Sequence, residues 1–238
     1  MEDLDLVTAS NEQAEIQLRD LAEVGVTSDV AVVYQSERFG IYNDILSSLV
    51  ERGMTFECFC TRREIREAVM APHGPIDGYP GACRYLSSSE RELRRRERPA
   101  ALRLRVDEAL RLQDEVQEIV LRRNDGVPAY NLAVVVDDEL QGVTEVVRGA
   151  DLVSVTPSQR HLQSLLGYRE LAYEHVPLML GADGERMSKR HGAVTLGDCL
   201  DLGFSGANVK EALLRSLQVG TNGWTPESSL SEWMAALL

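Results

Sequence analysis

Cysteine is scarce in this chain, four residues in 238, which leaves no framework for a disulfide-stapled fold. Three of the four, Cys58, Cys60 and Cys83, fall close together and read as thiols or metal ligands rather than bridges. Cys199 stands alone and reads as a small buried hydrophobe. Long apolar runs are missing as well: none approaches the ~20 residues that span a bilayer. The opening "MEDLDLVTAS" is acidic, with no basic segment leading into an apolar one, so it does not read as a signal peptide. The cytoplasm is the expected location. Positive charge is in deficit, 25 lysines and arginines against 38 acidic residues, for a formal net charge of -13. Such a balance argues against broad, non-specific adhesion to nucleic acid and confines any such contact to a small basic patch. No internal repeat and no low-complexity linker interrupts the chain.

What is present suits a well-buried core. Hydrophobic residues at 44% and charged residues at 26% are ordinary for a globular protein, and the length suffices for one large domain, with or without an insertion. Asn11 to Gly25 reads as a helix, with Ala14, Leu18, Leu21 and Ala22 at helical spacing. Ser36 is placed to cap a second helix, whose apolar face is Tyr42, Ile45, Leu46, Leu49 and Val50 and whose stop is Gly53. "MTFECFC" reads as a strand, Thr61 and Glu64 as a capping box, and Ala71 to Ala82 as a loop rich in glycine and proline. "SSSERELRRRERP" reads as a short charged helix, and "ALRLRV" alternates as a half-buried strand does. "EVQEIVLRR" and "AYNLAVVVDD" read as two strands joined at Asn124-Asp125-Gly126, the second apolar on both faces from Leu132 to Val136. Thr156, Pro157 and Gln159 open a helix that Gly167 closes. "YEHVPLML" reads as another buried strand, and the residues after Gly206 as two short helices, with Trp224 and Trp233 in the core. Strands alternating with helices predict an α/β fold on a parallel sheet, with ligands at the carboxyl ends of its strands.

One such end carries "GADGERMSKRHGAV", Gly181 to Val194. Its glycines allow close approach to a ligand. Arg186 and Lys189 suit neutralisation of a polyphosphate as charge builds on it. By charge alone the same stretch reads equally as a solvated basic turn. The string "RMSKR", however, resembles the K-M-S-K-S signature of class I aminoacyl-tRNA synthetases, with Arg186 where lysine is usual, and "RMSKRHGAV" is similar to the glutamyl branch in particular. "AYNLAVVVDD", "GVTEVVRGADL", "TPSQRHLQSLLG" and "HVPLMLG" follow in that family's order and spacing, and together they cover most of the chain.

The resemblance implies a Rossmann-type catalytic core, residues 1–57 and 126–200, an insertion over 58–125 that bears zinc, and C-terminal helices over 201–238. It implies ATP contacts at Arg186, Met187, Ser188, Lys189 and Arg190, with Lys189 catalytic through the pyrophosphate leaving group and Mg²⁺ shielding the triphosphate. It implies a glutamate site of Glu2, Tyr130 and Arg148: Glu2 accepting from the substrate ammonium, Tyr130 orienting with its hydroxyl, Arg148 gripping a carboxylate with two prongs. Without the family, a core tyrosine and a surface ion pair describe the last two as well. Cys58, Cys60 and Cys83 suit a structural, four-coordinate Zn²⁺. Spacing nominates His73 as the fourth ligand, whereas the family pattern nominates Tyr79.

Within the family, this zinc pattern and a chain that ends at Leu238 with no helical anticodon-binding region resemble the short branch. Those proteins activate L-glutamate with ATP and attach it to the queuosine base at the wobble position of tRNA(Asp). The remaining alternatives are a fragment of a glutamyl-tRNA synthetase and an inactive zinc-containing tRNA-binding remnant. A monomer is expected. The family's first strand, its H-I-G-H-type ATP motif and its first glutamate contacts precede the segment that "MEDLD" matches. No such motif occurs elsewhere, because His73, His161, His175 and His191 fall in other contexts. The 238-residue form is therefore expected to be unstable or poorly active. The run "RELRRRER", with Arg91, Arg94, Arg95, Arg96 and Arg98, reads as a solvated helix laced by ion pairs, or as a phosphate-contacting face near the tRNA.

Overall fold

Three short strands form an antiparallel sheet in the order β1-β2-β3: β1 is Thr55–Cys58, β2 Ala101–Leu104 and β3 Val120–Arg122. The chain is seen in a computed structural model that describes residues 1–5, 9–70, 79–111, 116–178 and 195–219. Cys58 pairs with Ala101 and Phe56 with Arg103, and the β2–β3 register shifts between Leu102 and Arg103. Two further strands, β4 (Glu145–Gly149) and β5 (Ala172–Val176), pair in parallel, with Arg148 opposite His175. A parallel pair needs a crossover, and helix α7, Thr156–Leu166, lies in that connection. The parallel sheet expected from the sequence is thus this pair, while the strands around the cysteines run antiparallel.

The remaining helices, with α7 numbered in chain order, are α1 (Asn11–Glu23), α2 (Phe39–Glu51), α3 (Arg62–Met70), α4 (Ser88–Glu97), α5 (Glu108–Arg111), α6 (Tyr130–Leu140), α8 (Leu196–Asp201) and α9 (Gly206–Val219). Among the described residues no helix is long and apolar enough to cross a membrane. Tyr42, Leu46 and Leu49 of α2 pack with Leu132, Val135 and Val136 of α6, and with Leu104, Val106, Ile119 and Leu121, in one apolar cluster. That cluster draws on residues from both sides of the expected insertion boundaries. A smaller cluster holds Phe56, Cys58, Phe59 and Cys83.

Several local expectations hold. Thr61 and Glu64 exchange capping hydrogen bonds, the charged run forms the helix α4, and Gly167 closes α7 at φ 71°. Gly126 turns the chain at φ 88°, as the Asn-Asp-Gly sequence requires.

Others are corrected. "AYNLAVVVDD" is the helix α6, not a strand. Its run is apolar on several sides because the helix is wedged in the core, where Leu132, Ala133, Val135, Val136 and even Asp137 are buried; short apolar runs do not reveal their own period. The strand partner expected across the turn shrinks to a single bridge between Arg122 and Pro128. Ser36 does not cap α2; it lies in a 3-10 turn, Gln35–Arg38, and both its N–H and its hydroxyl donate to Asp3. Thr156 and Gln159 do not cap α7, because both turn to Arg148 instead. "YEHVPLML" yields β5, which is half-exposed rather than buried. After Gly206 there is one helix, α9, as far as Val219; Trp224 and Trp233 lie outside the described residues.

Candidate functional site

Glu2, Tyr130 and Arg148 come from three distant stretches, and Tyr130 lies within electrostatic range of both of the others. The segment carrying Glu2 is tied down on both sides: Gln35 N–H donates to Met1 O at 3.1 Å, and Ser36 N–H to the Asp3 carboxylate at 2.9 Å. Burial pushes the Glu2 carboxyl up from the usual range, and the neighbouring Asp137 charge adds to that. Tyr130 opens α6 and lines a cavity of about 840 Å³ together with Glu2, Gln35 and Asn131. Burial raises its phenol, with Glu2 raising it further and Arg148 opposing.

Arg148 is held from four directions. Its Nε donates to His175 Nε2 at 3.3 Å, one terminal nitrogen to Gln159 Oε1 at 2.7 Å, and the other to Thr156 Oγ1 at 2.7 Å and Leu152 O at 3.3 Å. The Tyr173 ring lies 4.8 Å from the guanidinium carbon. A side chain fixed this way is pre-oriented rather than free to swing. A two-pronged grip on a carboxylate requires one of these partners to be exchanged. His175, which the sequence sets apart only as outside any ATP motif, and Gln159, expected to open a helix, are part of this support.

Asp138, one α6 turn beyond the buried valines, faces the same group of charges. Burial pushes its carboxyl up to about 6, Asp137 adds to the shift, and Arg148 opposes it. Asp137 itself is a buried hub that accepts from Gln35 Nε2 (3.1 Å), Tyr42 OH (2.8 Å) and Arg38 (2.8 Å). It locks α2 and the 3-10 turn to α6, and so keeps the Glu2 segment and Tyr130 in register. Nothing in the residue spacing signalled Asp137 or Asp138.

At the far end of the same cavity lie Cys58 and Cys60. The sulfurs of Cys58, Cys60 and Cys83 are within 4.8 Å of one another, and all three are free thiols. A tetrahedral ion with bonds of ~2.3 Å spaces sulfurs by about 3.8 Å, so the set fits a metal ion. The Tyr79 hydroxyl accepts from Cys83 N–H at 2.7 Å, and Phe59 N–H donates to Cys83 Sγ at 3.4 Å. Hydrogen bonds from Cys60 and Cys83, then the Arg103 charge, hold the Cys58 thiol well below its usual range, whereas Cys60 is pushed up by its hydrogen bond with Cys58. Three thiolates brought this close together repel one another and need a cation between them. His73 lies outside the described residues, as do Arg186, Met187, Ser188, Lys189, Arg190 and His191.

The arginine run of α4 is laced with ion pairs: Arg95 bonds Glu57 at 2.7 Å, Arg94 pairs with Glu97, Arg96 with Glu92, and Arg98 with Glu64. His161 sits half-buried on α7, and Cys199 is buried beside Ala212.

This architecture and site belong to a class: residues 1–232 match tRNA synthetases class I (E and Q), catalytic domain, and the chain is a member of that family of ligases. It is 50% identical over 227 residues to the glutamyl-Q tRNA(Asp) synthetase of Nocardia farcinica, covering 91% of this chain and 72% of that one. To the protein of the same name from Cutibacterium acnes it is 45% identical over 229 residues, 91% of this chain and 65% of the relative. The fold is that of the glutamate-tRNA synthetase of Elizabethkingia anophelis, with a TM-score of 0.64 at 20% identity, over 98% of this chain and 57% of that one.

Proposed function

We propose that the protein activates L-glutamate with ATP and transfers it to the queuosine base at the wobble position of tRNA(Asp). The observation that carries this reading is that Glu2 and Tyr130 line one cavity while Tyr130 also interacts with Arg148, in a chain half identical to a relative named for that reaction. In the first step a glutamate carboxylate oxygen attacks the α-phosphorus of ATP, and pyrophosphate leaves from glutamyl-adenylate. In the second, a hydroxyl of the queuosine ring attacks the acyl carbon and AMP leaves.

Glu2 accepts from the substrate ammonium, Tyr130 orients the amino acid with its hydroxyl, and Arg148 neutralises a carboxylate. Arg186, Met187, Ser188, Lys189 and Arg190 bind ATP. Lys189 stabilises the pyrophosphate as it departs, an interaction that strengthens as negative charge builds on the leaving group. Mg²⁺, bound with ATP, supplies further charge neutralisation. Cys58, Cys60, Cys83 and Tyr79 hold a structural Zn²⁺, with no open position for chemistry. The cavity of about 840 Å³ between amino-acid wall and thiols is large enough to admit a modified base.

The test uses the full protein expressed from its own gene. Expected are glutamate-dependent exchange of pyrophosphate into ATP without tRNA, and transfer of labelled glutamate to tRNA(Asp) whose terminal ribose has been destroyed by periodate with queuosine protected. Lys189→Ala is expected to slow the exchange by about 100-fold or more. Label that requires an intact terminal ribose would instead mark an ordinary glutamyl-tRNA synthetase, and exchange unaffected by Lys189→Ala would remove the assigned ATP site.

A further inference from the structure

Arg103 lies on β2 directly opposite Phe56, one strand away from the thiols, and it is 9% exposed. Its guanidinium carbon stands 4.0 Å from the centroid of the Tyr79 ring, which it covers on one side while Phe56, with centroids 6.0 Å apart, flanks it in a tilted arrangement. One terminal nitrogen donates to the backbone oxygen of Glu118 at 2.7 Å. The Glu118 carboxylate is itself occupied by the buried Arg84. Arg103 Nε has no hydrogen-bond partner, and among the described residues no carboxylate pairs with the side chain.

A buried guanidinium with neither a carboxylate nor a full set of acceptors is costly unless a negative charge stands nearby. The negative charge available is the metal cluster. Three thiolates around a divalent cation carry a net charge of about -1, and a phenolate as fourth ligand brings it to about -2. That surplus is equally costly to bury alone.

We propose that Arg103 is the positioning residue of the Cys58, Cys60, Cys83 and Tyr79 metal site. Its cation offsets the excess negative charge of the ligand set, and its flat face holds the Tyr79 ring so that the hydroxyl meets the ion. The proposal rests on the zinc reading given above.

The test is carried out on the full chain, with Zn²⁺ as the probe and a chromogenic chelator as competitor. Arg103→Gln keeps a polar side chain of similar reach without the charge; it is expected to retain fold by circular dichroism and to weaken zinc binding by about 10–100-fold. Arg103→Lys, which keeps the charge but not the flat stack, is expected to fall between. In a Tyr79→Phe background the cost of Arg103→Gln is expected to shrink markedly, a coupling that a merely structural arginine would not give. With Co²⁺ in place of zinc, the ligand-field bands of Arg103→Gln are expected to shift relative to the parent. Equal zinc affinity and an unmoved Co²⁺ spectrum in Arg103→Gln would overturn the proposal. Should that variant not fold, Arg103→Lys indistinguishable from the parent in both readouts would do the same. A parent protein that binds no zinc would overturn the metal reading itself, an outcome separate from the first because it appears before any substitution is made.

Discussion

Asp138 combines an ordinary residue type with an unusual environment, and the sign of its effect can be worked out. Its carboxyl is pushed up to about 6, chiefly by burial and then by Asp137. Between about pH 4 and about pH 6 the unfolded chain releases this proton while the folded chain keeps it, so stability falls as pH rises through that window, and the loss is complete above it. Asp138→Asn removes the titration. The melting temperature of the variant, compared with the parent, is expected to improve more at about pH 7.5 than at about pH 4; equal differences at both would show that the carboxyl ionises normally. Arg148 offers a complementary prediction. Its Nε and both terminal nitrogens are engaged by His175, Gln159, Thr156 and Leu152, a fork that lysine cannot reproduce. Arg148→Lys is expected to lower the melting temperature through the hydrogen bonds it loses and, separately, to raise the KM for glutamate at least about 10-fold in the pyrophosphate-exchange assay. A variant that loses stability but keeps its KM would make Arg148 a structural residue only.

At the level of elements, what the sequence disclosed depended on whether the signal was local. The capping box at Thr61 and the helix-closing glycine at 167 depend on a few neighbouring residues, and those are as expected. The identity of α6 depends on what surrounds it. A run such as "LAVVV" satisfies a buried strand and a buried helix equally, and only the packing against α2 decides. Thr156 and Gln159 misled for a related reason: their side chains carry the signature of a helix start, but a guanidinium nearby competes for the same oxygens. Glu2, Tyr130 and Arg148, proposed above to hold glutamate, were picked out by family motifs, whereas Asp137, Asp138 and Arg103 were not, because their surroundings come from burial and from partners far away in the chain. Gly206 is another case, read from sequence as a boundary alone. A β-carbon there would stand 2.2 Å from the backbone oxygen of Glu23, where the start of α9 meets the end of α1. Backbone cannot yield as a side-chain tip does, so Gly206→Ala is expected to cost about 1–3 kcal/mol in chemical denaturation; a cost near zero would mean that the two helices separate freely.

For the molecule as a whole, the proposed Zn²⁺ gives the most direct perturbation, its removal. The thiol cluster has a small apolar core of its own, Phe56, Phe59 and the cysteines, so on the proposed zinc reading an ion held there would contribute a large share of its order. Treatment with a strong chelator is expected to lower the melting temperature, and stoichiometric Zn²⁺ to restore it; a melting temperature indifferent to both would leave the thiols without a structural metal. The thiol cluster is also not portable. Leu104, Val106, Ile119 and Leu121, which fall within residues 58–125, close the same apolar interior as Tyr42, Leu46, Leu49 and Leu132. Cutting the chain at 58 and 125 would strip that greasy underside of its cover, and the excised piece would aggregate even when supplied with its ion. Transplanting the cysteines alone into another scaffold would move the ligands without the floor they stand on.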